Sequence, residues 1–522
     1  MSDEIRHIVI LGGGTAGWLT AGIIAADHGA YHPDSICITL IESPDVPILG
    51  VGEGTWPSMR DTLRRIGVDE REVLRRCGAS FKQGSRFDSW RDGTPDDRYA
   101  HPFSAPPSPD EVDTVALWRA APEGTPFASA VSPQVALADA ARAPKQATTP
   151  PYAAVLNYAY HLNATAFAAV LRDHCVNKLG VHRVAGHVQA VEGTGDGRIA
   201  GLVLKEGERI NAELFVDCSG QRAVLIDGFY GAKRRDVSSV LFNDRALAAP
   251  VPYESVDADI SSWTVATAIG AGWIWDIGLQ SRRGVGLVHS SHFLNEDEAH
   301  AAFIDYAQCT NSETPEPRLL TFQSGYRENP WQGNCVAVGM AQGFVEPLEA
   351  SAIVMVELSA QMISDILPRR TEQLASTARM FNARFAQRWS AIVDFLKFHY
   401  ILSQRTEPYW RAHRDKSTWT DRVVDLMDRW TYRAPSREDF TQTQEIFPAS
   451  SYAYILYGMM DHRPDAPPAH RAADPRHVTA VYNSMQDKAG RLWAGLPTNR
   501  ALLQQIAPCE AAVALAPTGA SA

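Results

Sequence analysis

The stretch "HIVILGGGTAGWLTAGIIAADHG", His7 to Gly29, decides the fold. Four apolar residues, three of them β-branched, make a short buried strand, a glycine turn follows, and an Ala-rich helix starts near Ala16. Within the turn Gly12, Gly14 and Gly17 satisfy G-x-G-x-x-G. In that pattern the first glycine makes the tight turn, the second lets backbone approach a pyrophosphate, and the third packs helix on strand. The helix N-terminus then faces the anion. The next strand, "SICITLIES", ends with Glu42, where a carboxylate can accept from ribose hydroxyls. Strand, glycines, helix, strand and acid in that order read as a dinucleotide site on an α/β module.

Later segments point to FAD rather than a nicotinamide. "GVGEGTWPSM", Gly50 to Met59, gives a Gly-rich turn directly after the second strand, ready to run beside a flat cofactor. "LFVDCSGQR", Leu214 to Arg222, reads as a strand ending in a Ser-Gly turn. "WQGNCVAVGMAQGFVEPLEASAIVMVELSAQMI", Trp331 to Ile363, reads as a strand over Cys335–Val338, a loop, and a helix from near Pro347. Attachment at two distant points of the chain suits a long FAD. No second glycine fingerprint is visible for NAD(P), so reducing equivalents are expected to arrive as already reduced flavin.

Composition narrows the partners. At 522 residues the chain exceeds one simple core, and no apolar run reaches the ~18 residues a membrane span needs. The N-terminus passes straight into a strand with no secretory pattern, so the cytoplasm is expected. Seven scattered cysteines without a Cys-x-x-Cys pair suggest neither a disulfide framework nor zinc. A net charge of -11 without a basic, aromatic-laced run argues against nucleic acid and leaves small molecules. From about Asp96 to Pro151 the chain is rich in Pro, Ala and Ser and reads as an irregular excursion of long loops. Beyond Ile353 the pattern turns helical and Trp-rich. This divides the chain into a flavin module with a mixed sheet over 1–360, a mostly α-helical lobe over 361–510 and a frayed tail over 511–522.

Two segments have more than one reading. In "GWIWDIGLQSRRGVG", Gly272 to Gly286, a strand would put Trp273, Trp275 and Ile277 on one face. That wall of indoles is either ordinary core or a partition. In "ASFKQGSRF", a single strand would put Phe81 and Phe87 on one face and Lys82, Gly84 and Arg86 on the other, which by itself describes a solvated lysine.

These segments, with "GGGTAGW", "YAYHLNATAFAAVLR" and "HYILSQRTEPYWR", run in an order that resembles the flavin-dependent tryptophan halogenases. The resemblance implies a glutathione-reductase/hydroxylase-type FAD fold whose site is lined by Gly12, Gly14, Thr15, Ala16, Gly17, Glu42, Gly52, Val188, Met340 and Ile353. It implies that a flavin hydroperoxide oxidises chloride or bromide, with O2 as oxidant and FADH2 supplied by a separate flavin reductase. Trp273 and Trp275 would then wall flavin from substrate, and Lys82 would receive hypohalous acid and halogenate an indole-type aromatic. Glu349 would orient that species or take up the ring's charge and proton. The backbone of Ser351 and Ala352 would hold halide, while His101 and Phe103 would stack on the indole. A homodimer is the analogy drawn from relatives.

Three departures from the family pattern stand out. Gly278 replaces a proline at the end of the indole strand, Ala352 replaces a glycine at the halide position, and Phe440 to Tyr457 does not reproduce the lid that grips the amino-acid part of tryptophan. Free indole, an indole derivative and tryptophan therefore all stand as substrates. On the same glycines, a flavin-dependent hydroxylase and a non-catalytic flavin-binding protein are the rivals. The first leaves Lys82 and the tryptophans unused, and the second would be indifferent to Lys82. His101 and Phe103 also have a plainer reading as a turn in a Pro-rich loop.

Overall fold

The computed structural model describes residues 4–32, 35–45, 50–108, 110–307, 316–440, 445–460, 463–464 and 473–507. The apolar run at the start forms strand β1 (His7–Leu11), buried beyond its first residue, and is followed by helix α1 (Thr15–His28) and strand β2 (Cys37–Glu42). β1 is central in a six-stranded sheet of order Trp331–Gln332, Cys335–Ala337, Leu214–Asp217, β1, β2, His182–Ala185. All neighbours are parallel except the outermost pair at the Trp331 edge. A parallel strand is covered on both faces, which is why β1 reads as a continuous apolar run rather than an alternating one. The α/β expectation is met.

A second sheet has seven strands, in the order Arg318–Thr321, Arg245–Pro252, Arg282–His289, Gly272–Gly278, Trp263–Ile269, Gly84–Asp88, Arg98–Pro102. It is antiparallel apart from the pair Gly84–Asp88 and Trp263–Ile269. On one face Ile274, Val285 and Leu287 pack with Phe303 of helix Glu296–Ala307. The other face joins the main core, where helix Leu374–Ile401 runs buried through every residue from Ala391 to Ile401. After Ile353 the described chain is helical, as expected.

A small third sheet, Glu53–Gly54, Ala159–Leu162 and Ser80–Lys82, joins the glycine-rich segment after β2 to the strand that carries Lys82. Its register sets His161 opposite both Gly54 and Ser80. The helix Asn499–Ile506 returns to clamp this sheet: Asn499 Nδ2 donates to the Phe81 carbonyl at 3.0 Å.

Where composition suggested irregular chain, residues 96–151 carry the strand Arg98–Pro102 and three short helices, Thr114–Ala120, Phe127–Val131 and Gln134–Asp139. The alanines supply small faces that let these helices pack into the core. The end of this stretch is fixed by Lys145, whose Nζ lies 2.6 Å from Glu70 Oε2, both side chains being buried. The Tyr160 hydroxyl donates to the same carboxylate at 2.7 Å. No helix among the described residues is long and apolar enough to cross a membrane, and the described cysteines are free. The tail expected over 511–522 lies outside the described residues.

Candidate active site

Each glycine of the first motif has a measurable reason to be glycine. Gly12 has φ 122°, and a Cβ there would sit 2.2 Å from the Cys218 carbonyl oxygen. A Cβ at Gly17 would sit 1.8 Å from the Gly12 carbonyl oxygen, so helix and strand touch through backbone. A Cβ at Gly14 would meet nothing within 4 Å, which leaves the open approach a pyrophosphate needs. Gly14 caps α1 without a side-chain bond, so the amides of Thr15 and Ala16 begin a helix whose first N–H groups are available to an anion.

Of the other expected cofactor residues, Glu42 ends β2 and Met340 lies in the turn after Cys335–Ala337, both at the carboxyl edge of the six-stranded sheet. Glu42 reaches back over the turn, since a Cβ at Gly13 would lie 2.2 Å from its Oε2, and it accepts from Trp18 Nε1 at 3.3 Å. Arg183, which the sequence did not single out, pairs with its other oxygen. Val188 opens the strand Val188–Gly193, just past Gly186, whose N–H donates to the Glu42 carbonyl. Gly339 has φ 68° and would touch the Ala16 methyl at 2.9 Å, which brings the turn Gly339–Ala341 to the helix mouth with Met340 42% exposed. Gly52 lies 3.7 Å, by its missing Cβ, from the Gly284 Cα and 3.8 Å from Ile277. Ile353 points into the core on the third residue of the helix Ser351–Asp365. An open, uncapped helix mouth under a ribose-height carboxylate fits a dinucleotide.

Lys82 is the reverse of a solvated lysine: its side chain is 1% exposed. The expected single strand is broken at Gln83, with Ser80–Lys82 in the small sheet and Gly84–Asp88 in the large one. Gly84 has φ 151° and so makes the bend. This bend turns Lys82 inward, where its Nζ stands 5.4 Å from the centre of the Phe103 ring. Burial drives the amine down to about 8, with the nearby Glu349 carboxylate pulling the other way. Among the described residues no hydrogen bond or ion pair reaches Nζ.

Glu349 does not sit in a helix first turn, as the sequence suggested. Pro347 precedes a short turn, Leu348–Ala350, and the helix begins at Ser351. Glu349 and Ala350 are consecutive non-glycine residues in the left-handed region, φ 63° and 52°, a strain that persists only where the surroundings enforce it. The Glu349 carbonyl accepts from Trp56 Nε1 at 2.8 Å, and its carboxylate oxygens meet His101 Nδ1 at 2.7 Å and Ser85 Oγ at 3.2 Å. His399 Nε2 stands 3.5 Å away, at ion-pair distance. Burial alone would raise this carboxyl, but His101 and His399 outweigh it and hold it well below the usual carboxylate range. Ala350, in left-handed conformation, leaves the helix from Ser351 uncapped by any side chain. Ser351 is buried, and the extra methyl of Ala352 is exposed rather than wedged into packing.

Trp273 and Trp275 do face the main core, with Ile274 on the opposite face of the strand, and Ile277 is buried further along it. Trp273 is buried against Trp90 and donates from Nε1 to Glu346 Oε2 at 3.3 Å. Glu346 also accepts from the Tyr400 hydroxyl at 2.9 Å and so anchors the indole. Trp275 lies flat over Gly286, where any Cβ would be 1.9 Å from the ring. Gly278 is held in the ladder opposite Arg283, and Ser80 Oγ donates to its carbonyl, so the absent proline leaves no loose loop.

Phe103 lies beside the amine, whereas the ring nitrogens of His101 are engaged by Glu349 and by Ser451 Oγ at 3.0 Å. Further aromatic surface comes from residues not singled out: Trp56 packs edge-on to Phe447 at 5.0 Å, and Phe447 stacks on Phe395 at 3.7 Å. Of the lid segment, 441–444 lie outside the described residues, and Glu445 is paired with Arg422 at 2.9 Å. Among the described residues no group of three His, Cys, Asp or Glu side chains could hold a metal.

A glycine turn opening a helix beside a carboxylate, together with a buried lysine and a buried, ionised glutamate, is the arrangement of a dinucleotide-binding enzyme. The family described as tryptophan halogenase matches residues 7–474. The chain is 32% identical to the tryptophan 7-halogenase RebH of Lentzea aerocolonigenes, over 97% of this chain and 99% of that one. It is 31% identical to the tryptophan 6-halogenase ThaL of Streptomyces albogriseolus, with the same coverage. The crystal structure of a tryptophan halogenase from Shewanella frigidimarina superposes with a TM-score of 0.91 at 42% identity, covering 97% of this chain and 98% of that one. The chain belongs to the tryptophan halogenase family and is a flavin-dependent enzyme of that family.

Proposed function

We propose that the protein halogenates an indole-type aromatic, using Lys82 to carry the halogen and Glu349 to manage the ring's charge. The single observation that carries this reading is the Lys82 amine, buried without a hydrogen-bond partner among the described residues, lowered toward neutrality and set beside an aromatic ring and an ionised carboxylate. Reduced FAD, with O2, would supply oxidation of chloride or bromide to hypohalous acid. Gly12, Gly14, Thr15, Ala16, Gly17, Glu42, Gly52, Val188, Met340 and Ile353 would hold it.

The chain's own residues do the rest. The uncapped amides of Ser351 and Ala352 hold halide at a helix mouth. Trp273 and Trp275 keep arene and cofactor apart, so that the oxidised halide reaches the amine first. Nζ, largely free of its proton above about pH 8, takes electrophilic halogen and presents it to the ring. Phe103 supplies the stacking face, and Glu349 stabilises the cationic ring and passes its proton toward His101. Because Glu445 is already neutralised by Arg422, no free carboxylate there greets an amino group, which favours indoles lacking the amino-acid part. The reading includes a separate flavin reductase as the source of FADH2, a cytoplasmic setting and a homodimer.

Mass spectrometry of products from indole and free tryptophan, with reduced FAD, oxygen, and chloride and bromide in competition, tests it. Halogenated indole is expected in excess over halogenated tryptophan. Hydroxylated product alone, formed equally without halide, would sink the reading.

A further inference from the structure

His161 and Thr264 stand at the halogen-carrying amine without a part in the scheme above. His161 is fully buried, opposite Gly54 and Ser80 in the small sheet, and its Nε2 lies 2.8 Å from Thr264 Oγ1. Its Nδ1 faces the Gly278 carbonyl without closing a full hydrogen bond. That carbonyl makes Nδ1 the protonated nitrogen, so Nε2 accepts and the Thr264 hydroxyl donates to it. The threonine oxygen then keeps lone pairs for a second partner.

The space those lone pairs face is defined by a glycine. A Cβ at Gly54 would fall 3.1 Å from Lys82 Nζ, 3.3 Å from the Ala350 methyl and 3.5 Å from Thr264 Oγ1. Amine and hydroxyl therefore open onto one small gap, kept free by the absent side chain, and no direct hydrogen bond joins them. An acceptor on one side and an amine on the other match the two ends of H–O–X.

We propose that the His161–Thr264 pair is the cradle in which hypohalous acid is oriented for loading onto Lys82, its O–H donating to Thr264 and its halogen turned toward Nζ. The inference rests on the halogenase reading. In the step, the lone pair of the neutral amine attacks the halogen, the N–X bond forms and the O–X bond breaks. The departing hydroxide, still held by its own O–H on Thr264, takes the proton that the nitrogen sheds. The balance is amine plus hypohalous acid to haloamine plus water. Thr264 touches the reacting molecule, whereas His161 acts through Thr264 as a positioning residue.

Thr264→Val removes the hydroxyl at nearly constant shape, and Thr264→Ser restores it. With the full chain, reduced FAD, oxygen, bromide and indole, T264V is expected to lose about 100-fold in halogenated product, while a dimedone-type trap in solution collects more hypohalous acid than from wild type. T264S is expected to stay near wild type, and His161→Phe to follow T264V. Loss in T264S equal to that in T264V would make the effect steric and overturn the proposal, as would wild-type product from T264V. A second readout needs no turnover. The 15N resonance of Lys82 Nζ in labelled protein should titrate at lower pH in T264V, which lacks an acceptor for the ammonium through water, and unchanged in T264S. An unmoved midpoint in T264V overturns the cradle even if no variant, wild type included, makes halogenated product. That last result would count against the halogenase reading itself.

Discussion

Lys82 is a destabilising residue in the folded state. Its shift from 10.5 to about 8 corresponds to about 3 kcal/mol at about 1.4 kcal/mol per pH unit. The folded form binds fewer protons than the unfolded chain between those two values, so stability rises with pH through that window. Below 8 the deficit is complete, and above 10.5 it vanishes. Lys82→Met is therefore expected to raise the melting temperature at pH 7 while abolishing halogenated product, an exchange of stability for activity that thermal melts and product analysis together would reveal. Activity should follow the neutral amine, with the acid limb of the pH–rate profile half-maximal near pH 8. Glu349→Gln removes the carboxylate that supports the ammonium, so this limb should move to lower pH while the plateau rate drops about 100-fold or more.

At the scale of elements, the glycine turn gives a sharper contrast than its motif suggests. Gly17→Ala drives a methyl onto the Gly12 carbonyl and is expected to destabilise by about 1–3 kcal/mol. Gly14→Ala meets open space with φ -77°, so it should fold as wild type and lose only flavin affinity, as melting and fluorescence titration would show. This turn was legible in the sequence because its glycine spacing is local, with Gly17 packed on Gly12, although the carbonyl that excludes a side chain at Gly12 belongs to the distant Cys218. The alternation of Trp273 and Trp275 is likewise local. What the sequence concealed depends on residues far apart in the chain. The strand break at Gln83 comes from two sheets competing for one segment, and the left-handed pair Glu349–Ala350 is enforced by Trp56, Ser85, His101 and His399. Periodicity alone would have put Lys82 in water. Only the likeness to a known family placed it inside, and even that gave no hint of Arg183 on Glu42 or of Thr264 beside the amine.

For the whole molecule, the segment 96–151 is tied down by one buried charge pair. Glu70 gathers the Lys145 ammonium, the Tyr158 and Tyr160 hydroxyls and the Tyr152 amide in a buried cluster. Glu70→Gln leaves the ammonium without its counter-ion and is expected to cost about 3 kcal/mol, with limited proteolysis cutting first between 96 and 151. Composition had suggested loose chain there, since proline and serine report local preference and not the distant carboxylate that fixes the segment.

The ladder of the seven-stranded sheet has a further consequence. Gly84–Asp88 pairs with Trp263–Ile269, and that strand pairs with Gly272–Gly278. Lys82 precedes the first of these strands by two residues, and Trp273 stands on the last. Lys82 and Trp273 are thus mounted on a common frame, like two fittings on one rail, while the aromatic surface of Trp56, Phe395 and Phe447 comes from other segments. Descendants of this chain can exchange those segments without recalibrating the distance from Trp273 to Lys82.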